Sequence, residues 1–161
     1  MMPFELTPRP PRAEPRGPRG TPLERLGGRE AVQRLIDEFY RRVAADPALR
    51  PLFPDDLEPG IEKQRLFMEQ WLGGAPVYSQ AHGQPMLRRR HFPFVIGRAH
   101  AERWLAHMRA ALEAVEADRE LIEEVLQRLE PLAYHMVNEG EDVPREPLPP
   151  LGGESRGREA P

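Results

Sequence analysis

The run LRRRHFPFVIG, residues 87 to 97, gathers one imidazole, three guanidiniums and a proline within reach of one another. Pro93 disfavours helix in the residue before it and removes a backbone donor, so the chain must turn there. His91 therefore projects from the end of a short basic helix, a rigid mount for a metal ligand. Arg88, Arg89 and Arg90 are fixed cations suited to a bidentate grip on carboxylates such as the propionates of a porphyrin. Trp104 follows thirteen residues after His91. The segment reads as a haem cradle. Taken alone it reads more readily as a solvated basic turn with an incidental histidine, because short charge runs are usually surface.

The elements that would position this segment are helical. Ala31, Val32, Leu35, Ile36, Phe39, Tyr40 and Val43 recur at helical spacing and predict one buried face on a helix that begins after Gly27 and Gly28. Asp46 and Pro47 break that pattern, and Leu49, Leu52 and Phe53 ride a short turn before an acidic loop. A second helix follows Pro59 with Ile61, Gln64, Phe67, Met68 and Trp71, and Gly73 and Gly74 stop it. A loop through Pro76, Tyr78, Gly83 and Pro85 leads to the arginine-rich helix. Beyond Gly97, Trp104, Leu105, Met108, Ala111, Leu112 and Val115 mark a long amphipathic helix. The last helix spans about 118 to 138, with Leu121, Ile122, Val125, Leu126, Leu129, Leu132, Ala133, Met136 and Val137 as its stripe and a kink expected at Pro131. No segment alternates polarity as a strand would. The fold class is all-α, and its long central Gly/Pro-rich connection points to a ligand site there.

The flanks differ in composition. Residues 1–21 form a Pro/Arg-rich arm and residues 143–161 a Pro/Gly-rich tail, both expected to be disordered because they offer little apolar surface. The working domain is residues 22–142. A formal net charge of -3 argues against a global field for nucleic acid. Without cysteine there are no disulfides, thiolate nucleophiles, iron-sulfur clusters or cysteine-ligated metals. No apolar run approaches the roughly 20 residues of a membrane span, and the N-terminus lacks a secretory core, so a cytoplasmic location is expected.

Other chemistries find no anchor. His82, His91, His100, His107 and His135 contain no i, i+4 pair and no HExxH, which disfavours zinc hydrolysis. No glutamate stands three residues before a histidine, as a di-iron carboxylate bundle requires. Phosphate-binding GxxxxGK[ST] and hydrolase GxSxG motifs are missing. His107 and His135 read as surface or packing residues on long helices. His82 and His100 stay ambiguous, and His91 is the best candidate.

The segments GGREAVQRLIDEFYRRVAADPALRPLFPDD, EKQRLFMEQWLGG, YSQAHGQPMLRRRHFPF and ERWLAHM, in this order, resemble a bacterial truncated haemoglobin of group II. The resemblance covers about residues 24 to 138. It implies a two-over-two helical sandwich holding haem b, with His91 as the proximal iron ligand. Tyr40, Gln64 and Trp104 match the residues that hydrogen-bond a distal ligand. Phe53 matches an aromatic packed on the haem where some members carry tyrosine, which implies a simpler distal network. Gly60 matches a small residue that leaves the pocket's side entrance open. Phe67 and Met68 match apolar haem contacts, and Tyr78, Arg90 and Arg88 match propionate contacts. The implied function is binding of dioxygen and other diatomic gases, with oxygen transport among the family's uses. The alternatives are a haem-dependent redox enzyme, such as a nitric oxide dioxygenase or a peroxidase-like protein, and a haem-free helical interaction module. A reductase partner and the choice between monomer and homodimer stay open.

Overall fold

A computed structural model describes residues 20–149; the arm up to residue 19 and the tail from residue 150 lie outside the described residues. Within them the regular elements are helices: α1 (Pro22–Leu26), α2 (Arg29–Ala44), α3 (Glu58–Trp71), α4 (Val77–His82), α5 (Leu87–His91), α6 (Arg98–Ala114) and α7 (Arg119–His135). A 3-10 turn, Arg50–Leu52, follows α2.

Every apolar position read from the α2 periodicity is buried. Gly27 and Gly28 precede it with φ of 119° and 79°, backbone that a side chain rarely tolerates, and so reverse the chain between two helices. The helix before them, α1, was not anticipated. Its signal is nonetheless present: Thr21 and Glu24 form a capping box, with Glu24 N donating to Thr21 Oγ1 at 3.2 Å and Thr21 N donating to Glu24 Oε2 at 3.1 Å. Helix α4 falls where a loop was expected. It is held from outside, because the Gln70 amide donates to Ser79 Oγ and accepts from Ser79 N, both at 2.9 Å.

The glycine stop after α3 is as expected, with Gly73 at φ 104°. Asp118 caps α7 by accepting from Leu121 N at 2.9 Å, but the helix ends at His135, short of the residue 138 expected from its stripe. It runs through Pro131, which cannot donate to the preceding turn.

Helices α2 and α3 pack as one pair and α6 and α7 as the other, and α2 lies on α6 to join the layers. This is the two-over-two sandwich. Arg25 of α1 meets Glu124 of α7 at 2.5 Å, and Arg29 of α2 pairs with Glu69 of α3 at 3.0 Å. Leu35, Ile36, Val43, Met108, Leu112, Leu121 and Val125 form the centre of the core, fully withdrawn from water. Burying each such side chain favours folding by about 1.5–3 kcal/mol.

Past residue 142, residues 143–149 carry no helix or strand, and Arg145 donates a hydrogen bond to the Phe92 carbonyl at 2.9 Å.

Candidate haem site

One cavity of about 270 Å³ lies between the two layers, close to the lower end of small-molecule pockets at roughly 300 Å³. Tyr40, Phe53, Gln64, Phe67, Met68, Arg90, His91 and Trp104 all line it. These residues come from α2, the turn after it, α3, α5 and α6, so only the tertiary fold brings them together. A haem-free module requires a packed core between Phe53, Phe67, Trp104 and His91; the cavity stands there instead.

Helix α5 presents Leu87, Arg90, His91 and, just past its end, Phe94 to the cavity, an i, i+3, i+4, i+7 stripe. The Nδ1 of His91 stands 2.6 Å from the Leu87 carbonyl. A carbonyl only accepts, so Nδ1 carries the proton and Nε2 keeps its lone pair. Burial lowers the pKa of His91 and so favours the neutral ring, with the Leu87 hydrogen bond opposing. A neutral imidazole oriented through Nδ1 by a carbonyl is the donor arrangement a haem iron accepts.

An aromatic cluster builds another part of the wall. Phe39 packs edge-on against Tyr40 and Trp104 with ring centroids 5.5 and 5.1 Å apart, and Tyr40 packs on Phe53 at 5.9 Å. Tyr40 is 7% exposed, and burial pushes its hydroxyl pKa up to about 12. It is a neutral O–H donor at any physiological pH. Among the described residues, neither the Tyr40 hydroxyl, the Trp104 indole N–H nor the Gln64 amide has a hydrogen-bond partner in the protein. Tyr40 is buried while Gln64 and Trp104 are half-buried, and all three side chains line the cavity.

Gly60 explains part of that arrangement. A Cβ at this position would lie 3.3 Å from the Tyr40 hydroxyl oxygen, so the missing side chain is the room in which that hydroxyl stands.

The three candidate propionate contacts separate. Arg90 lines the cavity, and its buried Nε has no partner, which fits a cation kept for a carboxylate. Arg88 points elsewhere: it pairs with Glu141, donates to the His135 carbonyl at 3.0 Å and lies 5.0 Å from the Phe92 ring centroid. Tyr78 is buried one layer back, edge-on to Phe67 at 5.7 Å, and supports the wall rather than lining it.

Sequence reasoning missed several contributors. His100 lines the cavity while its Nδ1 accepts from Gly97 N at 2.9 Å. Leu129, Leu132, Ala133 and Met136 of the expected stripe also line the cavity, Leu129 while belonging to the buried core. His107 behaves as expected of a packing residue, its Nε2 donating to Asp46 at 2.6 Å beside the Arg103 guanidinium at 2.9 Å. Those two partners, Arg103 first, hold the buried Asp46 carboxyl well below the usual carboxylate range.

Residues 21–138 match the family model described as bacterial-like globin. The group 2 truncated hemoglobin YjbI of Bacillus subtilis is 46% identical over 120 residues, which is 74% of this chain and 90% of that protein. The crystal structure of the group II truncated hemoglobin from Bacillus anthracis superposes with a TM-score of 0.73 at 42% identity, covering 77% of this chain and 95% of that one. A truncated oxygen-avid haemoglobin from Bacillus subtilis gives 0.70 at 45% identity, covering 74% and 100%. Fold, cavity and these likenesses agree, and the chain belongs to the bacterial-like globins as a truncated haemoglobin of group II, a haem-based ligand-binding family.

Proposed function

We propose that this globin carries haem b on His91 and retains dioxygen and other diatomic gases beside Tyr40, Gln64 and Trp104. When bound, haem b supplies a ferrous iron able to take a diatomic ligand. The observation that carries the reading is the His91 ring: Nδ1–H is committed to the Leu87 carbonyl, which leaves Nε2 as the ligating nitrogen on the cavity. Phe53, Phe67 and Met68 offer apolar surface to the macrocycle. Arg90 holds a propionate as a charge-assisted donor. Arg88 is given a structural role, since its guanidinium already serves Glu141 and His135.

Tyr40 and Trp104 donate, and Gln64 can donate or accept, to a ligand that gathers partial negative charge. A hydrogen bond to a charged acceptor contributes about 1.5–3 kcal/mol, and about 1.4 kcal/mol is a factor of ten. Two such donors slow release by orders of magnitude, which suits retention, sensing or redox use better than bulk transport. A peroxidase-like or dioxygenase mechanism would gain from an acid-base histidine. The second cavity histidine, His100, has its Nδ1 lone pair engaged by Gly97 N–H, so binding is the favoured reading.

The test is the absorption spectrum. The purified chain should show a Soret band that is lost in His91→Gly and restored by added imidazole. A colourless chain that stays colourless after haem addition, or a His91→Gly variant with an unaltered spectrum, would overturn the reading.

A further inference from the structure

The mount of His91 is short. Helix α5 has five residues and forms no broad packing surface with another helix; its own Arg88 and Arg89 reach the chain after α7, at Glu141, the His135 carbonyl and the Glu146 carbonyl. The last carbonyls of any helix also lack intrahelical partners. Two side chains beyond α7 meet the carbonyl of His91 and those of Phe92 and Phe94 just past the helix. Asn138 is fully buried, and its Nδ2 donates to the His91 carbonyl at 3.2 Å and the Phe94 carbonyl at 2.9 Å. Its Oδ1 accepts from Ile96 N at 3.1 Å and from Arg145 Nη1 at 2.8 Å. All four hydrogen-bonding positions of the amide are therefore used.

Arg145 completes the grip. Its Nη1 also donates to the Phe92 carbonyl at 2.9 Å, while Nη2 donates to the carbonyls of Asn138 at 3.2 Å and Glu141 at 3.3 Å. The main chain adds its own link, because Asn138 N and Glu139 N both donate to the Ile96 carbonyl, at 2.9 and 3.0 Å. The carbonyls of His91, Phe92 and Phe94 are thus all held by one buried amide and one guanidinium.

We propose that Asn138 and Arg145 are positioning residues for His91: they lock the turn that carries the imidazole, so the segment after α7 sets how firmly and at what angle the haem is held. The inference rests on His91 as the iron ligand. Asn138 acts on the histidine's own carbonyl, and Arg145 fixes both Asn138 and the next residue of the turn. Groups that orient a metal ligand in this way change metal-site properties by about 10–100-fold when removed.

The experiment uses the full haem-loaded chain. It measures the iron–histidine stretching band of the ferrous form by resonance Raman, and the rate of haem transfer to an excess of a haem-scavenging globin. Asn138→Ala should shift or broaden the band and speed haem loss by about tenfold or more. Arg145→Ala, at a half-buried site, should do the same more weakly, with Arg145→Lys between it and the native chain. Arg119→Ala, on an exposed arginine at the far end of α7, should change neither. If Asn138→Ala does not fold, Arg145→Ala decides. An unshifted band and native haem loss in a folded Arg145→Ala would overturn the inference while leaving haem binding intact. A native chain that takes up no haem would instead remove the reading beneath it.

Discussion

The two ends of the α6–α7 pair are built alike in sequence and used differently. At one end, Met108, Ala111 and Leu112 of α6 meet Leu121, Ile122 and Val125 of α7, and these side chains are buried against α2. At the other, His100, Ala101 and Trp104 of α6, Leu129, Leu132 and Ala133 of α7, and Met136 just past its end line the cavity. The apolar stripes run through both regions without a break. What changes is the neighbour: where α2 closes on the pair the stripe is core, and where residues of α3 and α5 line the same cavity it is a pocket wall. Hydrophobic periodicity fixes which face of a helix turns inward, not what it meets there.

This contrast can be broken or sharpened by substitution. The largest effect should come from the closed end. Leu121→Ala should lower unfolding free energy by about 2–5 kcal/mol whether or not haem is present, measured by urea denaturation. A loss confined to the haem-loaded protein would show that the two ends are not separate.

At the open end the cost should appear in ligand release. Tyr40→Phe and Trp104→Phe should each speed oxygen dissociation by about tenfold in stopped-flow measurements, with little change in stability, since each removes one donor worth roughly 1.4 kcal/mol. Unchanged rates in both variants would remove the donor roles. Gly60→Ala should act in the same direction and more weakly, by a few-fold on the scale of a displaced rather than a deleted donor. Its methyl would press on the Tyr40 hydroxyl at 3.3 Å. A native rate in Gly60→Ala would mean that the hydroxyl has room to spare.

The smallest effect concerns the border between the ends. Asp46, just past α2, takes Arg103 and His107 from either side of Trp104 on α6. Its carboxyl titrates lower in the folded chain than its ordinary value of 3.8, chiefly through Arg103. The folded state therefore binds this proton less readily than the unfolded one, and the stabilisation is present above pH 3.8 and lost as pH falls below it. The gap in urea midpoint between the native chain and Asp46→Asn should be full at pH 7 and close in acid. A gap that stays constant down to the acid limit would assign the effect to packing instead.

Much of the site was legible because its residues lie on strongly periodic helices. Tyr40, Gln64, Phe67, Met68 and Trp104 were named with their helices, and all reach the cavity. The division between Arg88 and Arg90 was also open to view. Successive helical residues turn by about 100°, so Arg88 and Arg89 leave the face that Leu87, Arg90 and His91 share. The TxxE signature of α1 was there to be read as well. Helix α4 and the latch on His91 were not, since α4 depends on Gln70 of the preceding helix gripping Ser79, and the latch on side chains distant in sequence whose partners are mostly main-chain groups that every residue possesses.

The sequence by itself determined apolar stripes at helical spacing long enough to demand helices, a proline that ends α5 just after His91, and the exclusion of every cysteine-based site. Tertiary structure decided which stretch of each stripe faces a cavity, which arginine keeps a free cation beside His91, and that Asn138 and Arg145 hold the turn from 47 and 53 residues away. Periodicity belongs to a single helix and is written along it. A cavity belongs to the space between helices, and a hydrogen bond to a backbone carbonyl leaves no mark on the identity of the residue that accepts it.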